Sequence, residues 1–549
     1  MKTIPCRQFI RVFCLFVLIG ITAPVWSQTS YYFFVQFKNK NNSPYSLSNP
    51  SAYLSSRSIA RRTAFNISCD STDLPVSPTY LSHLENLGVH VHSRSKWING
   101  ATVILSDSGK MSQVRALPFV RLAEYTGKQV GAVLAPAAKA PSVGMAFDYG
   151  TALSQISQLN GTHLHDEGYR GKGIQIAVLD GGFNNVNINS AFDSLRLQGR
   201  LLGTKDIINP TSNIYAEDSH GAMVLSTMAG NLQGQYLGTA PEASYWLIRT
   251  EYVGTEYKVE TDFWCSGIEF ADSVGVDLAT SSLGYYTFDE PSMNFTYADM
   301  NGKVSRASRA ATLAAKKGMV VLAAAGNEGQ TAWKYIGSPA DADGIIAVGA
   351  VTSTGLASSF TSYGPSSDSR VKPEICARGT SSALVSTTSS TTNGNGTSFA
   401  TPIMAGMMAC LLQRYKSVSQ SLSVQTLLQS VFRTGNQFNN PTAQLGYGIP
   451  DFVVAEQNLL TISSLNKIQN NWLSVAVNPI FKTLIIRFVD ENSPRNGSVR
   501  IYSATGEMML NMPLTESTNV LQTGNLPTGI YAVCVNENGK TDTRKILIK

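Results

Sequence analysis

The chain has 549 residues, 43% of them hydrophobic and 15% charged. That length exceeds one compact core, at roughly 100–200 residues per domain, and that composition excludes a disordered chain. The formal charge is +6, and three of the positive charges (Lys2, Arg7, Arg11) fall in the first 27 residues. The remaining +3 is too weak to point to nucleic acid.

The chain opens "MKTIPCRQFIRVFCLFVLIGITAPVWSQ". Basic residues precede an apolar run from Val12 to Ile21, and small residues offer a cleavage point after Ser27, the layout of a secretory signal peptide over 1–27. The run is short for a bilayer span of about 20 residues. No later segment has a span-length apolar run without charges, so no transmembrane span is expected once the signal is removed. Residues 28–130 mix strand-like runs ("YYFFVQF", "GATVIL") with a helical stretch near 77–87. The Ala/Pro-rich "GAVLAPAAKAPSVG" at 131–144 reads as a linker.

Over 145–462 the apolar runs "IQIAVLD", "VDLATSSLG", "MVVLAAAGN" and "GIIAVGAV" alternate with helical stretches. Unbroken β-rich runs between helices imply a parallel sheet covered on both faces. Over 466–549 the texture changes to short alternating strands with Gly/Asn/Pro turns, as in "KTLIIRFV" and "TGIYAVCV". The expected architecture is a doubly wound, mostly parallel α/β domain between an N-terminal α+β domain (28–144 with its linker) and a C-terminal all-β sandwich. Cys6 and Cys14 leave with the signal. Cys69, Cys265, Cys376, Cys410 and Cys534 lack metal spacing, which predicts free thiols and no disulfide framework.

In a doubly wound sheet, functional groups collect beyond the carboxyl ends of the strands. Asp180 closes "IQIAVLD", where a carboxylate serves the sheet rim or caps a helix. His220 in "EDSHGAMVLSTMAG" is the only histidine after position 165 and stands before a small-residue helix. His163 and His165 are two apart and would face different ways on a helix. Ser398 in "NGNGTSFATPIMAG" sits where glycines end and an apolar helix begins. A serine there is a helix cap, or a nucleophile beside free N–H groups if a base takes its proton. Pro402 is tolerable if it lies in the first helical turn. Asn327 in "VLAAAGNEG" ends a buried strand, as a turn residue or as an amide donor to an oxyanion.

Taken together, in the order Asp, His, Asn, Ser, these stretches resemble the subtilisin-like serine proteases. The matching motifs are "IAVLDGGF", "HGAMVLSTMAG", "SSLGY", "AAAGNEG" and "NGTSFATPIMAG". The resemblance implies a secreted endopeptidase with Ser398 as nucleophile, His220 as base, Asp180 orienting the imidazole, and Asn327 with the Ser398 N–H as oxyanion hole. It further implies that Ser282, Leu283 and Gly284 border the pocket for the residue before the scissile bond. Ala324, Ala325 and Gly326 would form its other wall, with Glu328 near its base. Such a pocket should prefer apolar residues and tolerate basic ones. Gly181 and Ala222 depart from the usual family residues without touching the chemistry.

No cofactor is implied. Family members often bind calcium, but the sequence offers no site, and Asp341 and Asp343 in "SPADADG" read as a turn. Residues 28–140 resemble an inhibitory, folding-assisting propeptide. The C-terminal region resembles the sorting domain of the type IX secretion system of Bacteroidota. The expected partners are therefore peptide substrates and that secretion machinery, and the expected location is the medium or the outer-membrane surface. The alternative is an inactive, protease-like surface adhesin.

Overall fold

The structure, a computed structural model, describes residues 29–129, 148–418, 423–466, 473–478, 483–488 and 497–548. The expected signal segment at 1–27 and linker at 131–144 lie outside the described residues. In the N-terminal domain, strands β1 (Ser30–Phe37), β2 (His90–Ser95), β3 (Gly100–Leu105) and β4 (Val120–Gln129) form an antiparallel sheet in the order β2-β3-β1-β4. Helices α1 (Ser56–Ala64) and α2 (Pro78–Asn86) accompany it. Strand alternation explains the unbroken apolar run of β1. Phe33, Val35 and Phe37 pack under Tyr80, Leu81 and Leu84 of α2. Tyr32 and Phe34 face the other way, into the core of the next domain.

The main sheet of the central domain has seven strands: β5 (Gln175–Asp180), β6 (Leu201–Asp206), β7 (Ser244–Arg249), β8 (Leu278–Ser281), β9 (Val320–Ala324), β10 (Ile346–Val351) and β11 (Ile375–Arg378). All are parallel, in the order β11-β10-β9-β8-β5-β7-β6. Its main helices are α3 (His220–Ala229), α4 (Val259–Val274), α5 (Arg306–Lys316) and α6 (Thr397–Val418). Ile176 and Val178 of β5 share a core with α3 and α6, whereas Ala177 and Leu179 share one with α4 and α5. Both faces are therefore dry, which is why these strands read as continuous apolar runs.

After α7 (Phe452–Asn466) the C-terminal domain stacks two sheets. Strands β12 (Leu473–Asn478), β13 (Thr483–Phe488) and β16 (Thr518–Gln522) form one. Strands β14 (Gly497–Ser503), β15 (Met508–Leu514), β17 (Gly529–Glu537) and β18 (Lys540–Ile548) form the other. Leu484 and Ile486 from one sheet meet Val499, Ile501 and Val533 from the other in a common core, the expected sandwich. Five cysteines among the described residues are free, with Cys265, Cys376 and Cys410 buried.

The first two domains are joined by buried charge as well as by apolar contact. Asp272, near the end of α4, has no exposure. It accepts from Arg61 and from Arg62 of α1, the latter at 3.0 Å, and from Lys96 Nζ at 2.9 Å. Burial alone would raise this carboxyl, but the three cations hold it far below the usual carboxylate range. Arg62 also pairs with Asp73 at 2.7 Å, and Lys317 of the central domain pairs with the same Asp73 at 2.8 Å. Glu269, one turn earlier on α4, accepts from Ser95 Oγ and from the N–H groups of Lys96 and Trp97.

Asp272→Ala would leave two guanidinium groups and an ammonium around an empty carboxylate position. Breaking a buried pair costs roughly 3–5 kcal/mol. The expected outcome is a lower melting temperature for the full chain. An unchanged melting curve would show that water reaches the cluster and screens it.

Candidate active site

The carboxyl rim of the central sheet gathers the polar residues named from the sequence. Strand β5 ends in Asp180, β8 leads into Ser282–Gly284, and β9 leads into Gly326 and Asn327. Helix α3 starts at His220, and α6 starts one residue before Ser398.

Asp180 is fully buried. Its Oδ1 accepts from the Gly181 N–H at 2.8 Å and from His220 Nδ1 at 2.9 Å. A carboxylate only accepts, so Nδ1 carries the proton and Nε2 is left as the basic nitrogen. The approach needs a residue without a side chain at 221. A Cβ on Gly221 would lie 2.4 Å from Gly182 O and 2.8 Å from Asp180 Cβ. Asp218 fixes the helix start by accepting from the His220 N–H at 2.7 Å. Burial pulls the imidazole down. The Asp180 charge and hydrogen bond, with Asp218 and Glu251 nearby, overcome this and lift it to about 9. Glu251 is itself pushed up to about 7 by burial and by Asp180, and it accepts from Tyr285 OH at 3.4 Å.

Ser398 lies in the first turn of α6, and the His220 ring sits 6.0 Å, centroid to centroid, from that of Phe399. The Ser398 hydroxyl donates to Ser282 O at 3.5 Å rather than to His220. Such bonds are commonly loose before substrate arrives, and a staggered rotation of χ1 re-aims a serine hydroxyl. Pro402 lies deeper in the helix than the sequence suggested, beyond the first turn. Lacking an N–H, it cannot bond the carbonyl four residues back, which is that of Ser398. Ser282 Oγ supplies the missing donor to Ser398 O at 2.8 Å.

Asn327 is oriented by its oxygen. Its Oδ1 accepts from Thr397 N at 2.9 Å and from Thr397 Oγ1 at 3.1 Å, so the amide nitrogen must point the other way. A Cβ built on Gly396, whose φ is +148°, would lie 3.7 Å from Asn327 Nδ2 and 3.6 Å from Ser398 N. Two donors thus converge on one small space that only glycine leaves open.

A cavity of about 100 Å³ adjoins this space, lined by Ser282, Leu283, Gly284, Ala324, Gly326 and Glu328 together with Asn327 and Ser398. Ala325 is the exception to the sequence reading. Strand alternation turns its side chain, with no exposure, into the core beneath α4 and α5. Tyr286, Gly337 and Thr397 complete the lining and were not anticipated. Tyr286 lies one residue beyond "SSLGY", and Thr397 precedes the nucleophile motif's serine, so both stood beside recognised signals.

His163 and His165 serve structure rather than this site. His163 meets Glu456 at 2.7 Å, and His165 bonds Tyr149 OH and Thr239 O. Asp341 accepts from the Gly302 N–H at 2.7 Å and from Ser308 Oγ. Among the described residues, no group of three His, Cys, Asp or Glu side chains gathers as metal ligands, and no helix is long and apolar enough to cross a membrane.

Comparison with known proteins finds a family for each of the three regions. Residues 171–448 match the subtilase family, 32–141 match the Bacteroidota propeptide domain of S8 peptidases, and 477–549 match a secretion system C-terminal sorting domain. Subtilisin NAT of Bacillus subtilis subsp. natto is 31% identical over 52% of this chain and 67% of its own length. Subtilisin of Bacillus pumilus is 30% identical over 52% of this chain and 92% of its own. The solved structure of prenylagaramide maturation protease PagA covers 55% of this chain and 98% of its own, at 22% identity and a TM-score of 0.43. The propeptide and sorting domains mark a zymogen that is secreted or attached to the cell surface. With the family matched over half the chain and the subtilisins aligned to the same region, this chain belongs to the subtilase family of serine-type endopeptidases.

Proposed function

We propose that the rim site hydrolyses peptide bonds through Ser398, His220 and Asp180. Ser398 Oγ attacks the peptide carbonyl while His220 Nε2 takes its proton. Asp180 holds Nδ1–H and stabilises the imidazolium that forms. Asn327 Nδ2 and the Ser398 N–H receive the developing oxyanion. His220 then protonates the leaving amine, and water, activated by the same imidazole, releases the acyl-enzyme. None of these steps requires a cofactor. The observation that carries the reading is the Asp180–His220 hydrogen bond at 2.9 Å, made at the rim where the Asn327 amide and the Ser398 helix start converge. The chain's own first substrate is the segment joining its first two domains. Strand β4 ends at Gln129, Tyr125 OH donates to Glu290 at 3.0 Å, and Gly127 packs on Tyr257 of the central domain. The C-terminal domain delivers the enzyme to the type IX export machinery.

Ser398→Ala, made in a host lacking other proteases, should fold and keep residues 28–140 attached. The size of the purified protein reads this directly, and efficient loss of that domain would assign the cut to a different enzyme.

Asn327→Ala should remain folded and lose about 10²–10³ in kcat with little change in KM, a magnitude established for an oxyanion amide in this same family. Kinetic constants and a melting temperature on one preparation separate this from a turn role, in which stability falls and kcat holds.

His220 must be neutral to accept a proton, and its pKa is raised to about 9. Activity is therefore expected to rise with pH through about 9, where an unperturbed imidazole would level off above about 6.5. In Asp180→Asn the lifting charge is gone, so the acid limb should move down in pH on a far slower enzyme. A wild-type kcat/KM profile already flat at neutral pH would show that burial of the imidazole offsets the Asp180 charge.

A further inference from the structure

The pocket beside Ser398 runs between two segments, one leaving β8 through Ser282–Tyr286 and one leaving β9 through Gly326–Glu328. Each ends in a large polar side chain, and the two meet. The Tyr286 phenol faces the Glu328 carboxylate. Burial and that neighbouring charge push the phenol up to about 12, so it stays a neutral donor at every working pH. The ring is held from behind. It stacks on Trp333 with centroids 5.0 Å apart and planes 23° from parallel. Trp333 meets Tyr335 edge-on at 6.2 Å, and Tyr335 stacks on Tyr297 at 4.0 Å. Turning Tyr286 aside breaks its stack on Trp333, a ring that is itself held in place by Tyr335.

Glu328 is held as firmly. Thr331 Oγ1 donates to its Oε2 at 3.0 Å, and its backbone N–H donates to Ser362 Oγ at 3.0 Å. With Thr331 and Tyr286 both turned towards it, the carboxylate has its charge spread over two hydroxyl donors. A lysine or arginine entering the pocket would meet a carboxylate already engaged by the Tyr286 phenol and by Thr331. It would also give up its own hydration in a cavity of only about 100 Å³.

We infer that Tyr286 is a specificity-determining residue of this protease: seated on Trp333 and reaching to Glu328, it closes the pocket and withholds the carboxylate, so compact aliphatic residues are selected before the scissile bond. The inference rests on the proposed reading of this cavity as the pocket for that residue. It replaces the expectation that basic residues are tolerated there, because a bare glutamate at the pocket base attracts cations and a capped one does not.

The test uses the secreted, processed enzyme from expression of the full chain. Its substrates are peptides identical except for Leu, Phe or Lys before the cut. The wild type should favour Leu over both by at least about tenfold in kcat/KM. Tyr286→Phe keeps the stacked ring but uncaps Glu328, and should raise the Lys-to-Leu ratio at least tenfold. Adding Glu328→Gln to that variant should abolish the gain. Tyr286→Ala opens the pocket and should raise the Phe-to-Leu ratio, with melting temperatures confirming that each variant is folded. Unchanged ratios in both Tyr286 variants would overturn the inference and leave the protease reading standing. A wild type that cleaves none of the peptides, nor a denatured protein substrate, would overturn the reading beneath it.

Discussion

A carboxylate with no access to water must find its compensation inside the protein, and the architecture of the site depends on how Asp180 finds it. Two N–H groups reach its Oδ1, one from the next residue and one from an imidazole forty positions away. An unpaired buried charge would cost several kcal/mol. Strand β5 must therefore stop where α3 begins, and residue 221 must be glycine for the two to touch. The same bond that compensates the aspartate decides which imidazole nitrogen is free. Structural necessity and chemical polarity are one arrangement here, since His220 cannot satisfy Asp180 without presenting Nε2 outward.

A second constraint ties the nucleophile to the pocket. Helix α6 is a core element, with Met404, Met407, Met408 and Leu411 fully buried, and it also carries Ser398 in its first turn. Pro402 removes the helical donor that Ser398 O would otherwise have, and Ser282 Oγ replaces it across the rim. The first turn of the helix is thereby fastened to the segment that lines the pocket. Nucleophile and pocket wall share a hydrogen bond, so they keep their spacing when the helix shifts against the sheet.

The sequence made the chemistry legible because the reacting residue types are scarce where they matter. His220 had no competitor after position 165, and Asp180, Asn327 and Ser398 each stood at the end of an apolar run or the start of one. What it left obscure has physical reasons. Ala325 belongs to the recognised motif, but the period of two along a strand points it away from its neighbours. Glu328 looked like a free charge because its partner Tyr286 reaches it only through the fold. Helix α1 escaped notice for a different reason. Its buried residues are Ser58, Arg61 and Arg62, so a search for apolar periodicity finds nothing on its inward face. Those arginines pair with Asp272, more than 200 residues later, and no local pattern announces that pairing.

That charged seam suits a propeptide domain that must dock in a single register. Apolar contacts such as Tyr32 on Phe263 bring the propeptide to α4, but apolar surfaces alone tolerate sliding. The cations of α1 and Lys96 do not, because a shifted register takes them away from Asp272 and leaves buried charges of both signs unpaired. The penalty for misdocking is large, at roughly 3–5 kcal/mol for a broken buried pair. The net gain from correct docking is small, since dehydrating the ions cancels much of their attraction. While the two domains share a chain, their effective concentration is high and a modest affinity suffices. Cutting the connection would end that advantage, and Asp272, Arg61, Arg62 and Lys96 would each recover water on separation. An interface built this way discriminates strongly between registers while adding little net affinity.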